Sequence, residues 1–368
     1  MIRLRATVVE VDLGAIRHNV RALKPATAEL MAVVKGNAYG HGDVPVARAA
    51  IEAGATWLGV ALVEEGIHLR EAGISAPILV LSEFPRGAEK EALAAKLTPT
   101  LYTDEGLLAV AEAAEAVGGG VPVHVKIDTG MHRAGVYPAE AAVAFASRVV
   151  GSGLRIEGLF THLARSEEDV TTTLEQLRRF RSVATTLAET GIRPRYLHAA
   201  NSAAVLRFPE THLDLVRPGI ALYGVSPGPD VDMGSLRPAL SWRSAVALVK
   251  RLPAGEAVSY GHRYRLQRES TIATVPVGYA DGYRRSLSSR ADVLIRGRRR
   301  RVAGAVTMDQ ILVDCGGEDP IEPGDEVVLL GRQGHYQVSA VELGDLAGTL
   351  GYEIVSGIGE RVPREYLG

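Results

Sequence analysis

Residues 30–42 read LMAVVKGNAYGHG, an apolar run that stops at Lys35 and breaks into a loop holding three glycines, Asn37, Tyr39 and His41. The pattern predicts a buried strand that delivers Lys35 to the mouth of a site. An ammonium at the end of such a strand is stripped of water, which depresses its pKa and suits the amine to Schiff-base chemistry with a carbonyl cofactor or substrate. Tyr39, four residues on, is within reach of a phosphate. A lysine that only carries its charge out of a strand end is the commoner case, and the rest of the chain decides between the two.

Working outward, short apolar runs alternate with amphipathic helical stretches up to about residue 225, the pattern of a parallel sheet with crossover helices. The runs are LMAVVK at 30, WLGVAL at 57, PILVLS at 77, LTPTLY at 97, VPVHVKID at 121, RIEGLFTHL at 155, RYLHAANS at 195 and LDLVRPGIALYG at 213, eight in all. Eight strands with seven helical segments between them predict a (β/α)8 barrel. After Pro227 the texture changes to a Pro/Gly-rich link and then to strand-like segments such as WRSAVALVKRL, STIATVPVG, ADVLIRG and DEVVLLG, with one helix over VELGDLAGTL. The expected organisation is an α/β barrel over residues 1–230 followed by a mainly β domain over 231–368. The first ten or so residues are expected to pack with the second domain.

The totals describe an ordinary globular protein of 368 residues, 46% hydrophobic and 23% charged. A net charge of −2 gives neither nucleic acid nor a membrane surface a reason to bind the molecule as a whole. The local exception, RGRRRR at 296–301, sits between two alternating segments and reads as a solvated hairpin. A single cysteine, Cys315, rules out an intrachain disulfide and fits a reducing compartment. No secretory h-region and no bilayer-length apolar run is present, so the expected location is the cytoplasm.

In a barrel, reactive groups come from the C-terminal ends of the strands. The polar residues follow that rule. Lys35 ends the first run, Lys126 and Asp128 the fifth, followed by the loop TGMHRAG with Arg133. His162 ends the sixth, Asn201 and Ser202 the seventh, and Arg217 with Gly219 falls in the eighth.

With these residues go the motifs AVVKGNAYGHG, KIDTGMHRAG, FTHLA, HAANSAA, LVRPGIALYG, VSYG, VGYADGY, TMDQ and GYEIVSGIGERVPREY, in order from one end to the other. Together they are highly specific, and the chain resembles the alanine racemases, which bind pyridoxal 5′-phosphate (PLP) on a barrel plus a β domain. The resemblance implies a homodimer that interconverts L- and D-alanine by two bases and supplies D-alanine for peptidoglycan, with no metal. Lys35 would hold PLP covalently and act as one base; Tyr260, supplied by the partner subunit, would be the other. Since a free tyrosine has a pKa near ~10, it needs cationic neighbours to serve near neutrality.

Tyr39, Asn201, Ser202, the backbone of Gly219 and Ile220, and Tyr352 would hold the cofactor, chiefly its phosphate. Arg217 would face the pyridine nitrogen and leave it unprotonated, with His162 orienting the guanidinium. Arg133 and the backbone N–H of Met308, again across the dimer, would hold the substrate carboxylate. Lys126 would be carbamylated and so become an anion that holds Arg133. Tyr279, Tyr283 and Tyr352 would line a narrow entrance, with ordinary packing the simpler reading for Tyr283, and Asp281 would form a turn. Gly36, Thr307, Leu350, Gly351 and Gly357 depart from common family residues near the entrance and the phosphate end, which bears on substrate breadth. The alternatives are a racemase that also takes serine or lysine, a PLP-dependent decarboxylase, and a non-catalytic PLP carrier.

Overall fold

The computed structural model describes residues 5–317 and 320–368. The chain divides into two compact units: Ala15–Arg237, and the described residues up to Gly14 together with Pro238–Gly368. β1 (Val8–Asp12) therefore belongs to the second unit.

The first unit is built on eight parallel strands, and each expected apolar run contains one of them. They are β2 (Glu29–Val33), β3 (Trp57–Val60), β4 (Ile78–Val80), the pair β5 (Leu97–Thr98) and β6 (Thr100–Leu101), β7 (Pro122–Lys126), β8 (Arg155–Phe160), β9 (Tyr196–His198) and β10 (Leu215–Val216). β5 and β6 are one strand interrupted at Pro99, which has no N–H for the ladder. The Pro99 carbonyl still accepts from His124 N at 2.9 Å, so pairing carries through to β7. Asp214 N donates to Leu197 O at 3.0 Å and Arg217 N to Ala200 O at 2.9 Å, which joins β9 to β10 and closes the ring.

Met31, Trp57, Leu79, Tyr196 and Leu215, each from a different strand, form a buried cluster in this unit. Each of the seven connections between the eight strands carries helix, the longest being Val170–Glu189. It starts where Asp169 accepts from Thr172 N at 2.9 Å, an N-cap that satisfies one of the helix's free donors.

The second unit carries a ten-stranded sheet. Its order is 248–252, 270–275, 311–314, 298–302, 292–295, 326–333, 240–245, β1 and 364–367, with 336–338 paired to 326–333. β1 runs antiparallel to 240–245 and parallel to 364–367. WRSAVALVKRL is two strands rather than one, and a helix at Gly351–Ser356 follows the expected one at Ala340–Ala347.

RGRRRR folds as expected into a hairpin, turning at Arg296 and Gly297, both with positive φ. Its charge is spent locally. Arg296 pairs with Asp325 at 2.8 Å, Arg299 with Glu342 at 2.8 Å and Arg301 with Asp292 at 3.0 Å, while Arg300 donates to the Cys315 carbonyl at 2.6 Å.

Asp281 does more than form a turn. Its carboxylate is fully buried, accepts from Gly278 N at 3.0 Å and pairs with Arg5 at 2.7 Å and Arg361 at 3.5 Å. It therefore ties the start of the chain to its end. Asp281→Asn keeps the shape and removes the charge, leaving Arg5 without its counter-ion, and should cost about 2–3 kcal/mol in urea unfolding at an unchanged m-value.

Tyr283 is no entrance residue. It is 1% exposed and packs edge-on against Trp242 at 5.8 Å between centroids.

Candidate active site

Lys35 stands at the end of β2, partly buried, and the chain beyond it makes one turn of left-handed helix. Gly36, Asn37, Ala38 and Tyr39 have φ of 62°, 51°, 52° and 52°. Each non-glycine residue in that conformation costs about 1–2 kcal/mol, so the turn persists only because its surroundings hold it. Ala38 N donates to Val34 O at 2.8 Å, Gly40 N to Gly36 O at 3.0 Å, and Asn37 Oδ1 accepts from Asp43 N at 2.9 Å.

Gly36 takes a left-handed position at little cost. A Cβ there would touch nothing within 4 Å, so Gly36→Ala should lose only the backbone term, about 1–2 kcal/mol in thermal unfolding.

Burial, reinforced by Arg133 and opposed by Glu65, holds the Lys35 ammonium below its ordinary pKa. Lys126, at the end of β7, is pulled down to about 8 by burial and by the charges of Arg133, Arg217 and Lys35. Its Nζ lies 5.6 Å from the Phe160 ring centroid and 6.0 Å from that of Tyr102. Asp128 Oδ1 accepts from the amides of Gly130, Met131 and His132 at 2.9–3.0 Å, which shapes the loop that carries the exposed Arg133. Among the described residues Arg133 forms no ion pair. Four cations thus converge where the nearby carboxylates are already engaged by backbone, a setting made for anions.

Arg217 is buried, and burial lowers it to about 9, so it remains a cation at neutral pH. It donates to Thr161 O at 2.8 Å, Ala199 O at 3.2 Å and His198 Nδ1 at 3.0 Å. The hydrogen bond expected from His162 is therefore made by His198. The His162 carbonyl accepts from Gln176 at 3.1 Å, and its ring, near the cations, is held neutral by burial and by Arg217.

Because a guanidinium only donates, His198 Nδ1 must accept, which places its proton on Nε2. That proton goes to His124 Nδ1 at 2.9 Å. Both rings are fully buried, and burial pulls His124 down to about 3 and His198 well below the usual range, so the chain Arg217–His198–His124 holds one charge at its end. Three of the guanidinium's five N–H donors are engaged, leaving two for a ligand acceptor.

Opposite the lysine turn, Ser202 Oγ accepts from Gly219 N at 2.8 Å and Ala221 N at 3.2 Å. Its own hydrogen has no acceptor among the described residues. The Tyr39 hydroxyl lies beside Gly219, where a Cβ would come within 2.5 Å of it. Burial, with Glu65, pushes this phenol up to about 12 and keeps it a neutral donor. Ile220 opens the short turn Ile220–Tyr223. Asn201 is committed elsewhere: its Oδ1 caps Ala204 N at 3.1 Å and accepts from Ser166 at 2.7 Å, and its amide donates to Leu163 O at 3.3 Å.

On the second unit, Tyr260 is 75% exposed in a tight turn after Ser259 and lines a concavity of about 360 Å³ with Thr307, Gln310 and Leu312. Met308 and Asp309 form the tip of a turn closed by Thr307 N donating to Gln310 O at 3.0 Å, and Asp309 pairs with Arg361 at 2.9 Å. Met308 is 52% and Tyr279 43% exposed, and Tyr279 N donates to Thr307 O at 2.9 Å. Tyr352 sits partly buried in the helix Gly351–Ser356. His198, His124 and Glu65 are functional neighbours that the residue-by-residue reading did not single out. Alternation along β7 was the available signal for His124, which shares a face with Lys126.

Fold and site define a protein that pairs a (β/α)8 barrel carrying a cationic, lysine-centred pocket with a mainly β domain. Residues 11–227 match the family description "Alanine racemase, N-terminal domain" and residues 239–366 match "Alanine racemase, C-terminal domain". The alanine racemase of Symbiobacterium thermophilum is 51% identical, covering 99% of this chain and 98% of the relative. That of Carboxydothermus hydrogenoformans is 46% identical over 99% of this chain and 100% of its own. Among solved structures, alanine racemase from the D-cycloserine producing Streptomyces lavendulae superposes with a TM-score of 0.94 at 44% identity, covering 100% of this chain and 98% of the other. Alanine racemase from Bacillus anthracis with bound L-Ala-P gives 0.92 at 38%, covering 100% and 96%. The chain belongs to the alanine racemase family.

Proposed function

We propose that this protein interconverts L- and D-alanine with PLP as cofactor, working as a homodimer in the cytoplasm and supplying D-alanine for peptidoglycan. The observation that carries the reading is the partly buried lysine of depressed pKa at a strand end, facing a cationic pocket with neutral phosphate donors beside it. No described helix is long and apolar enough to cross a membrane. PLP fits the donor set: Tyr39 and Ser202 bring O–H groups to the phosphate end, with the Ile220 backbone and Tyr352 assigned to the same end, while the Gly219 N–H, which donates to Ser202 Oγ, orients that hydroxyl rather than meeting the phosphate itself. Arg217 has donors to spare for an acceptor nitrogen, while His162 and Asn201 shape the wall.

Bound PLP supplies a carbonyl for the substrate amine and a conjugated ring that acidifies the Cα–H bond. Lys35 removes or returns the proton on one face of Cα, and its depressed pKa makes the neutral amine available. Tyr260 of the partner subunit serves the other face, and a phenol 75% exposed in one chain is free to reach another chain's site. Arg133 and the Met308 N–H hold the substrate carboxylate. Lys126, at about 8, presents enough neutral amine to take up carbon dioxide as a carbamate, which would turn a repelling cation into an anion that holds Arg133. Arg217, a cation with no proton to lend, leaves the ring a weaker electron sink, which favours quick reprotonation over decarboxylation.

The test is Cα–H exchange of L-alanine in deuterium oxide, followed by NMR with added PLP, alongside chiral analysis. Exchange with D-alanine accumulating is the expected result. Release of carbon dioxide would instead favour the decarboxylase, equal rates with alanine and lysine a broader racemase, and no exchange with any amino acid a carrier.

A further inference from the structure

Glu65 takes no part in the reaction as described, yet it touches the turn that leaves Lys35. Its Oε1 accepts from Gly36 N at 2.6 Å, and its Oε2 accepts from Ala61 N at 2.8 Å and Leu62 N at 3.1 Å, at the end of β3 and the start of the helix Val63–Glu71. One carboxylate thus fastens the strained left-handed turn to the neighbouring strand and helix. Bonds from backbone N–H groups to a carboxylate are among the stronger ones. They act on the first peptide of a turn whose three non-glycine residues would otherwise relax toward ordinary φ.

The charges around Lys35 give the same carboxylate a second effect. Arg133 faces it from the loop after β7, Lys126 from the end of β7, the neutral His162 from the end of β8, and Tyr39 from its own turn. Asp128 is tied to its own loop, so Glu65 is the carboxylate that bears on the lysine among these neighbours.

We propose that Glu65 is a positioning residue for Lys35, pinning the peptide that leaves the lysine and setting a negative charge against the cations around it. The inference rests on Lys35 being the reactive lysine of the proposed reaction. A base that takes a proton in one direction and returns it in the other needs both its forms within reach, and the Glu65 charge favours the protonated form against burial and Arg133.

The test uses the full-length chain without substrate and freed of any carbonyl cofactor by hydroxylamine, so that the Lys35 amine is available to the reagent. Competitive acetylation of Lys35, read by peptide mass spectrometry from about pH 6 to 11, gives the midpoint for its amine, and hydrogen exchange gives the protection of the Gly36 amide. Glu65→Gln keeps an acceptor but loses the charge, and should move the midpoint down by about one pH unit. Glu65→Ala should do the same and raise Gly36 exchange at least about tenfold. Glu64→Gln, an exposed neighbour making none of these bonds, should change neither. A midpoint unmoved in Glu65→Gln, or a Gly36 amide unmoved in Glu65→Ala, overturns the proposal. Because both readouts precede any turnover, a failed racemase assay would leave them standing and is told apart from failure here.

Discussion

Lys35→Ala should abolish the covalent link to PLP and cut racemisation by on the order of 10⁴-fold or more. The side chain is the amine at the end of β2 that the fold holds partly out of water, and in the proposed reaction its truncation removes both the anchor and one proton carrier. The near-visible absorbance of lysine-linked cofactor should vanish while free PLP still associates through the donors near Ser202. Folding should survive, because removing a half-desolvated ammonium among three other cations relieves repulsion. A variant that retains the linked-cofactor spectrum would show that another lysine is the anchor, with Lys126 the first to examine.

Tyr260→Phe should leave cofactor binding intact and reduce racemisation by about 10²–10³-fold, the loss being unequal in the two directions. The substitution removes one oxygen from a ring that is 75% exposed, so the unfolding free energy should stay within about 0.5 kcal/mol of the parent. If the proposed pair of bases is right, Lys35 should still exchange the proton on its own face. Deuterium should therefore enter one enantiomer from solvent while the other barely reacts. Full activity in both directions would remove Tyr260 from the reaction. Activity that falls only when the chain is diluted would bear instead on the proposed dimer.

What the sequence conveyed followed from periodicity. Eight apolar runs in register with helical segments leave few other closures, and because a barrel puts its chemistry on one rim, Lys35, Lys126, Arg133 and Arg217 could be collected before any coordinates. What stayed hidden lay inside that pattern. His124 and His198 sit at strand positions that read as ordinary core, and only three-dimensional distance shows that His198, rather than His162, accepts from Arg217. The left-handed turn at Asn37, Ala38 and Tyr39 has only a weak local signature, Asn37 between Gly36 and Gly40, because Ala38 and Tyr39 disfavour that conformation; local hydrogen bonds and the tertiary one from Gly36 N to Glu65 hold it. Tyr283, for which ordinary packing was the simpler reading, is buried in accord with it.

The place of β1 between 240–245 and 364–367 bears on how the chain is made. This strand is synthesised before the strands it pairs with, the nearer of which begins more than 220 residues later (240 − 12 = 228). At roughly 5–20 residues per second, Val8, Val9 and Val11 wait roughly 10–50 s with an unpaired edge. All of the barrel's strands emerge within that interval. Translational pausing before residue 240, or a bulky fusion at the amino end, should therefore burden the second unit far more than the barrel.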